Sequence, residues 1–210
     1  MKGRITAAGL VGLLVAAMRG ELARAQASSA SQDIQVYVGE LFGDRLTEQA
    51  LSGNHPRLDD DINFGARYTF HFNDSWGVQL SAGYSPSRAR HVPNGATDLG
   101  LTTLDVDLEW DIVPGFRFVG RPLVPYTVVG AGYAWANLDR TMFGLVGGRP
   151  TTITDSDGFT GNVGLGARYY LGDNLFVDFD ARYRYLSRLV SNYGQGLNTT
   201  QTTLSLGYRF

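Results

Sequence analysis

Apolar and polar residues alternate with a period of two in eight stretches of the chain, at 34–42, 61–72, 76–84, 101–112, 124–137, 159–171, 175–187 and 199–210. That period belongs to the β-strand, whose successive side chains point to opposite faces. The last stretch shows it most plainly: Leu204, Leu206, Tyr208 and Phe210 share one face, and Ser205, Gly207 and Arg209 the other. Each stretch approaches the length of a tilted membrane strand, about 10 residues. The connections alternate too. Long polar stretches at 43–60, 86–100, 138–158 and 188–198 are separated by tight turns at 73–75 and 172–174. One connection departs from the rhythm, because 113–123, with Pro114, Gly115 and Pro122, exceeds a minimal turn. Long loops on one side and short turns on the other predict an all-β fold, an eight-stranded antiparallel up-and-down transmembrane β-barrel. Both termini then lie in the periplasm, and four loops lie outside the cell.

Alternation also assigns faces. The second strand turns Ile62, Phe64, Ala66, Tyr68, Phe70 and Phe72 to lipid; the fourth Leu104, Val106, Leu108, Trp110 and Ile112; the seventh Leu175, Val177, Phe179, Ala181, Tyr183 and Tyr185. None of these carries a charge. The opposite parity holds Arg67, Asp105, Asp107, Glu109, Asp111, Arg168, Asp178, Asp180, Arg182, Arg184 and Arg209. A cationic side chain facing lipid at mid-bilayer costs about 2–4 kcal/mol, so this set belongs in the lumen. The first and fifth strands give no clear face, since Glu40 interrupts one and Val128-Val129-Gly130-Ala131-Gly132 blurs the other. Phe72, Trp76, Trp110, Phe116, Phe118, Tyr170, Phe176 and Phe210 gather at the periplasmic interface, and Phe42, Tyr84, Trp135 and Phe159 at the outer one. Two aromatic girdles are what a membrane barrel predicts.

The N-terminus adds an address. Lys2 and Arg4 precede an apolar run from Ile5 to Met18, and Ala25-Gln26-Ala27 supplies small residues for cleavage. Residues 1–27 therefore read as a signal peptide, cleaved before the barrel domain at 28–210. Removing that peptide from a chain of 18 basic and 20 acidic residues leaves 14 against 19. A net negative barrel gives no support for nucleic-acid binding. The absence of cysteine excludes disulfides, thiolate catalysis and cysteine–zinc sites.

A barrel of eight strands has an interior just wide enough to be filled by side chains. Six acids and five arginines in that volume predict a mutually paired plug, because buried charges need partners and arginine can satisfy carboxylates with its planar fork. The alternative reading of Asp105, Asp107, Glu109 and Asp111 is a cation path or metal site. Ligands strung along one strand lie more than about 6 Å apart, so they converge only with partners from elsewhere. Gly130-x-Gly132 and Gly164-x-Gly166 lack the strand–turn–helix setting of a nucleotide loop and read as space for a crowded lumen. No cofactor is indicated. His91 with Ser85 or Ser87, or His55 with Asp59 to Asp61, are the candidates for a lipid-modifying enzyme, with no diagnostic spacing.

The run from Val124 to Tyr133, the run Gly164-Leu165-Gly166-Ala167-Arg168-Tyr169-Tyr170-Leu171-Gly172-Asp173-Asn174-Leu175, the segment Asp180 to Tyr185 and the end Gly207-Tyr208-Arg209-Phe210 together resemble the outer-membrane β-barrel domain family, the small barrels similar to the outer-membrane protein A transmembrane domain. The resemblance implies an integral protein of the Gram-negative outer membrane, in contact with lipid and lipopolysaccharide. It also implies that Tyr208 and Phe210 form the signal read by the barrel-assembly machinery. The expected role is structural or surface-interactive, with any external ligand met by the loops. A narrow channel for small or apolar solutes is the alternative.

Overall fold

The computed structural model describes residues 31–43, 57–90, 97–113, 116–139, 142–146, 149–153, 156–187 and 196–210. The expected signal peptide lies outside them. Eight long strands make the wall: β1 Ser31–Phe42, β2 Asp61–His71, β3 Trp76–Arg90, β4 Thr97–Asp111, β5 Arg121–Leu138, β6 Ser156–Tyr170, β7 Leu175–Leu186 and β8 Leu197–Arg209. Each pairs antiparallel with the next in sequence, and β1 pairs with β8, aligning Val36 with Leu206. The sheet is therefore closed. Closure leaves no row of unpaired backbone groups, which a strand in hydrocarbon cannot tolerate.

The two faces separate as alternation dictates. Phe64, Phe70, Val106, Leu108, Trp110, Phe179, Tyr183, Leu204 and Leu206 are exposed on the outer wall, while Arg67, Asp107, Asp180 and Arg182 are buried inside. The two strands with ambiguous patterns also resolve. β1 turns Asp33, Gln35, Tyr37 and Leu41 inward and Ile34, Val36, Val38 and Glu40 outward. β5 turns Val124, Tyr126, Val128, Ala134 and Ala136 inward and exposes Val129 and Trp135.

Trp76 and Trp110 stack with ring centroids 5.8 Å apart at the periplasmic end, and Tyr133 packs edge-on against both Trp135 and Phe159 near the outer one. Two members of the expected periplasmic girdle are placed differently. Tyr170 and Phe176 face the lumen, where they lie 5.6 Å apart beside Val124. Parity decides this: Phe176 sits one residue from outward Leu175 and Val177, so its ring must point in.

The strands outrun their hydropathy signal at the outer side. β3 continues six residues beyond Tyr84, pairing Pro86 with Gly100 and Arg88 with Asp98, and Arg57–Leu58 adds two rungs against Ala89 and Arg90. Above the apolar belt no lipid enforces alternation, so the ladder continues where the pattern stops. Part of the connection at 138–158 is likewise ordered, as a hairpin of Met142–Val146 with Arg149–Ile153. On the periplasmic side Asn73 closes its turn by accepting the amides of Ser75 and Trp76, each at 2.9 Å.

The atypical connection after β4 contains a two-residue hairpin, Arg117 opposite Pro122 and Phe118 opposite Arg121. Its tip, Val119 at φ 50° and Gly120 at φ 77°, has the left-handed backbone of a type I′ turn. A β-branched residue is strained there, and Val119 is 80% exposed with nothing gained in return. Val119→Asn is expected to stabilise the barrel by about 1 kcal/mol in urea unfolding. Val106, at the middle of β4 and 55% exposed on the outer wall, tests the faces in the opposite direction. Val106→Arg is expected to cost about 2–4 kcal/mol in lipid vesicles.

Candidate functional site

All eleven charged residues assigned to the inner parity face the lumen, and all but Asp111 meet charged or polar partners from other strands. β4 presents its acids as a ladder. Asp105 Oδ2 lies 2.8 Å from Arg184 Nη1, and Asp105 Oδ1 accepts the Thr160 hydroxyl at 2.7 Å. One step down, Asp107 Oδ2 meets Arg182 Nη1 at 2.7 Å, and Asp107 Oδ1 accepts from the Asn162 amide at 2.8 Å. Below that, Glu109 accepts from Arg168 Nη2 and from Gln79 Nε2, both at 2.9 Å. Each acid takes a different cation because rungs two residues apart lie more than about 6 Å apart along the strand.

Arg182 is the central tie. From β7 it reaches Asp107 on β4, Gln79 Oε1 on β3 at 2.6 Å and Asp180 Oδ2 at 3.1 Å. Asp180 is shared, since Arg67 Nη1 on β2 lies 2.6 Å from it and the Thr203 hydroxyl donates at 2.8 Å. Arg67 also lies over the Tyr37 ring, 4.3 Å from its centroid. Room for this congestion comes from β5. A Cβ on Gly130 would collide with the Asp107 carboxylate, so only glycine lets the acid lie against the neighbouring strand.

Nearer the periplasm Arg168 bridges Glu109 and Asp33, the latter at 3.1 Å, with Asp178 3.5 Å from its Nε. The Tyr126 hydroxyl donates to Asp178 at 2.8 Å. Arg209, the one network cation with partial exposure, grips Asp33 with both Nε and Nη2, at 2.6 and 2.7 Å. Asp33 and His71 join this layer, with His71 Nε2 2.9 Å from Asp33 Oδ2. Neither was among the candidates from sequence. The signal for Asp33 was its shared parity with Gln35 and Tyr37, one residue before the apparent start of the first strand. With Asp33 the lumen holds seven acids against five arginines among the described residues.

The outer end of the interior is rich in leucine, with the buried hydroxyls of Ser85 and Ser87 among the side chains. Leu41, Leu58, Leu99, Leu101, Ala134, Ala136, Leu186 and Leu197 are all buried there, forming a layer above the ionic one. The candidate enzymatic groups do not assemble among the described residues. Ser85 and Ser87 donate to the carbonyls of Ile62 and Asp59, at 2.9 and 3.0 Å, while His55 and His91 lie outside those residues.

The match to a family model, described as the outer membrane protein beta-barrel domain, runs over residues 9–210. Among solved structures the chain is similar to the Neisserial surface protein A, with 16% identity, a TM-score of 0.57, and coverage of 87% of this chain and 100% of that one. It is similar also to Ail, the attachment invasion locus protein of Yersinia pestis, at 17% identity and a TM-score of 0.52, covering 87% and 100%. OprG of Pseudomonas aeruginosa follows at 16% and 0.52, covering 86% and 96%. No curated protein matches the chain. At such identities the likeness speaks for the fold alone.

Removing one partner of a buried pair strands the other charge, at a cost of about 3–5 kcal/mol, whereas an exposed pair contributes roughly 0.2–1 kcal/mol. Arg182→Ala is therefore expected to lower unfolding stability in urea by about 3 kcal/mol. Arg88→Ala, whose pair with Asp98 is more than 60% exposed on both sides, is expected to leave the unfolding midpoint unchanged within the error of the measurement. With closure, segregated faces and family match in agreement, the chain belongs to the outer membrane protein beta-barrel domain family and is an integral protein of the Gram-negative outer membrane.

Proposed function

We propose that this barrel is a plugged one, with a structural and surface-interactive role exerted through its external loops and not through transport. The observation that carries the reading is Arg182, whose guanidinium reaches across the interior to Asp107 and Gln79 while also holding Asp180. A solute crossing the lumen must displace these buried charges from one another, which exposes each to the full cost of losing its partner. The leucine-rich layer above adds a second obstacle, since an ion gives up hydration on entering a passage lined mainly by leucine. In this reading the eleven charges hold the staves together, and outward-facing Tyr208 and Phe210 serve the assembly machinery.

Contacts with the outside then fall to the loops and the strand extensions above the belt. Ail, a barrel of the same fold, is known in complex with the heparin analogue sucrose octasulfate, which supports the idea that a barrel of this architecture can bind a ligand. A second reading, a narrow passage for small apolar solutes, is favoured by the same leucines, which would welcome such a solute at the outer mouth.

Conductance separates the two readings. The folded wild-type protein is expected to give no stepwise current in planar bilayers and no swelling of liposomes. Arg182→Ala with Asp107→Ala is expected to introduce small steps by opening the central layer. Regular steps from the wild type would remove the plug.

A further inference from the structure

We infer that the periplasmic end of the lumen holds a binding site for a divalent cation of borderline softness such as Zn²⁺, with His71, Glu109 and Asp111 as its ligands. One ring nitrogen of His71, one oxygen of Glu109 and one of Asp111 lie within 4.8 Å of each other, and all three residues are buried. A nitrogen with two carboxylate oxygens is a donor set that such ions accept.

The convergence is built by the sheet. Glu109 and Asp111 end β4, His71 ends β2, and β3 runs between them. Neighbouring rungs of β3 would ordinarily place a side chain in that gap. The residue there is Gly77, paired with His71 on one side and Glu109 on the other, and a Cβ on it would come within 3.1 Å of His71 Nδ1. Glycine thus leaves the space over the middle strand open, and β2 supplies the partner that the acids of β4 lack on their own.

A separate observation points to a missing ligand. Asp111 is only 5% exposed, its Oδ1 is buried without a hydrogen-bond partner, and its carboxylate makes no ion pair among the described residues. Every other acid of the β4 ladder has its cation. Around it, the arginine pairs of Asp33, Glu109 and Asp178 run to Arg168 and Arg209, so that with Asp111 four carboxylates share two guanidiniums. A divalent ion supplies the charge that this layer needs. Asp33, 2.9 Å from His71 Nε2, orients the imidazole as a carboxylate behind a metal-bound histidine does. Glu109 keeps lone pairs free although Arg168 and Gln79 each donate to it. The site depends on the barrel fold and not on the surface-interaction reading.

The test uses the purified, folded barrel after chelator treatment, titrated with Zn²⁺ by calorimetry and with Co²⁺ by visible absorption. One equivalent is expected to bind, with cobalt bands of a low-symmetry nitrogen–oxygen site and a change in fluorescence from Trp76 and Trp110 close by. His71→Ala and Asp111→Asn are each expected to weaken binding at least tenfold while heat-modifiable migration on gels persists. Replacing His55 and His91 together is expected to leave it unchanged. His71→Gln serves the same purpose should the alanine variant not fold. Absence of saturable binding to the wild type, persistence of full affinity in either lumen variant, or loss of binding on replacing His55 and His91 overturns the assignment.

Discussion

A backbone amide or carbonyl facing hydrocarbon must find its partner within the protein, because lipid offers none and an unsatisfied group costs several kcal/mol. The β1–β8 pairing meets that demand for the last open edges of the sheet, and the rest of the molecule is arranged around the cylinder it creates. Once the wall is closed, every strand residue faces either lipid or a narrow shared interior. Charge has one direction left to go. The inner parity of β1, β2, β4, β6, β7 and β8 accordingly holds the acids and arginines, and the outer parity holds the branched and aromatic residues.

Confinement then determines how those charges behave. Exposed, the same residues would contribute little to stability, but in the lumen each must be compensated within a few ångströms. The solution is distributed: Asp180 serves two arginines, Arg168 touches three acids, and hydroxyls and amides of Thr160, Asn162, Gln79 and Thr203 take up remaining lone pairs. Such a network ties β2, β3, β4, β6 and β7 together through the interior as the ladders tie them through the wall. Smallness elsewhere is part of it, since Asp107 is accommodated by Gly130 on β5 and Arg182 by Gly164 on β6.

Much of this was legible from alternation alone. The faces of the second, fourth and seventh strands could be read because lipid forbids charge on one parity. β5 could not, since its inner residues are valine, tyrosine, alanine and glycine, the complement to an acid-rich neighbour, and so resemble its outer ones. Glu40 obscured β1 for a different reason: it faces outward at the outer rim, where the hydrocarbon constraint has lapsed. The same lapse concealed the upper rungs of β3. Alternation fixes which side a residue faces but not its height or partner, so the pairing of Asp107 with Arg182, and the meeting of His71 with Glu109 across Gly77, required the register of three strands at once. Tyr170 and Phe176 show a related limit, since aromatic residues near a strand end serve a rim or a lumen equally well by composition.

The seam between the first and last strands bears on how the molecule is made. Asp33 and Arg209 lie 176 positions apart in sequence, and beside them Gln32 and Phe210 exchange backbone hydrogen bonds. Contacts so remote are the slowest for a chain to find by search, and an up-and-down sheet short of that pairing has two raw margins able to adhere to any passing strand. A catalyst of insertion would therefore do most for this chain by sheltering those margins until they meet. Delay at that single juncture, more than at any hairpin, would govern the yield of intact cylinders.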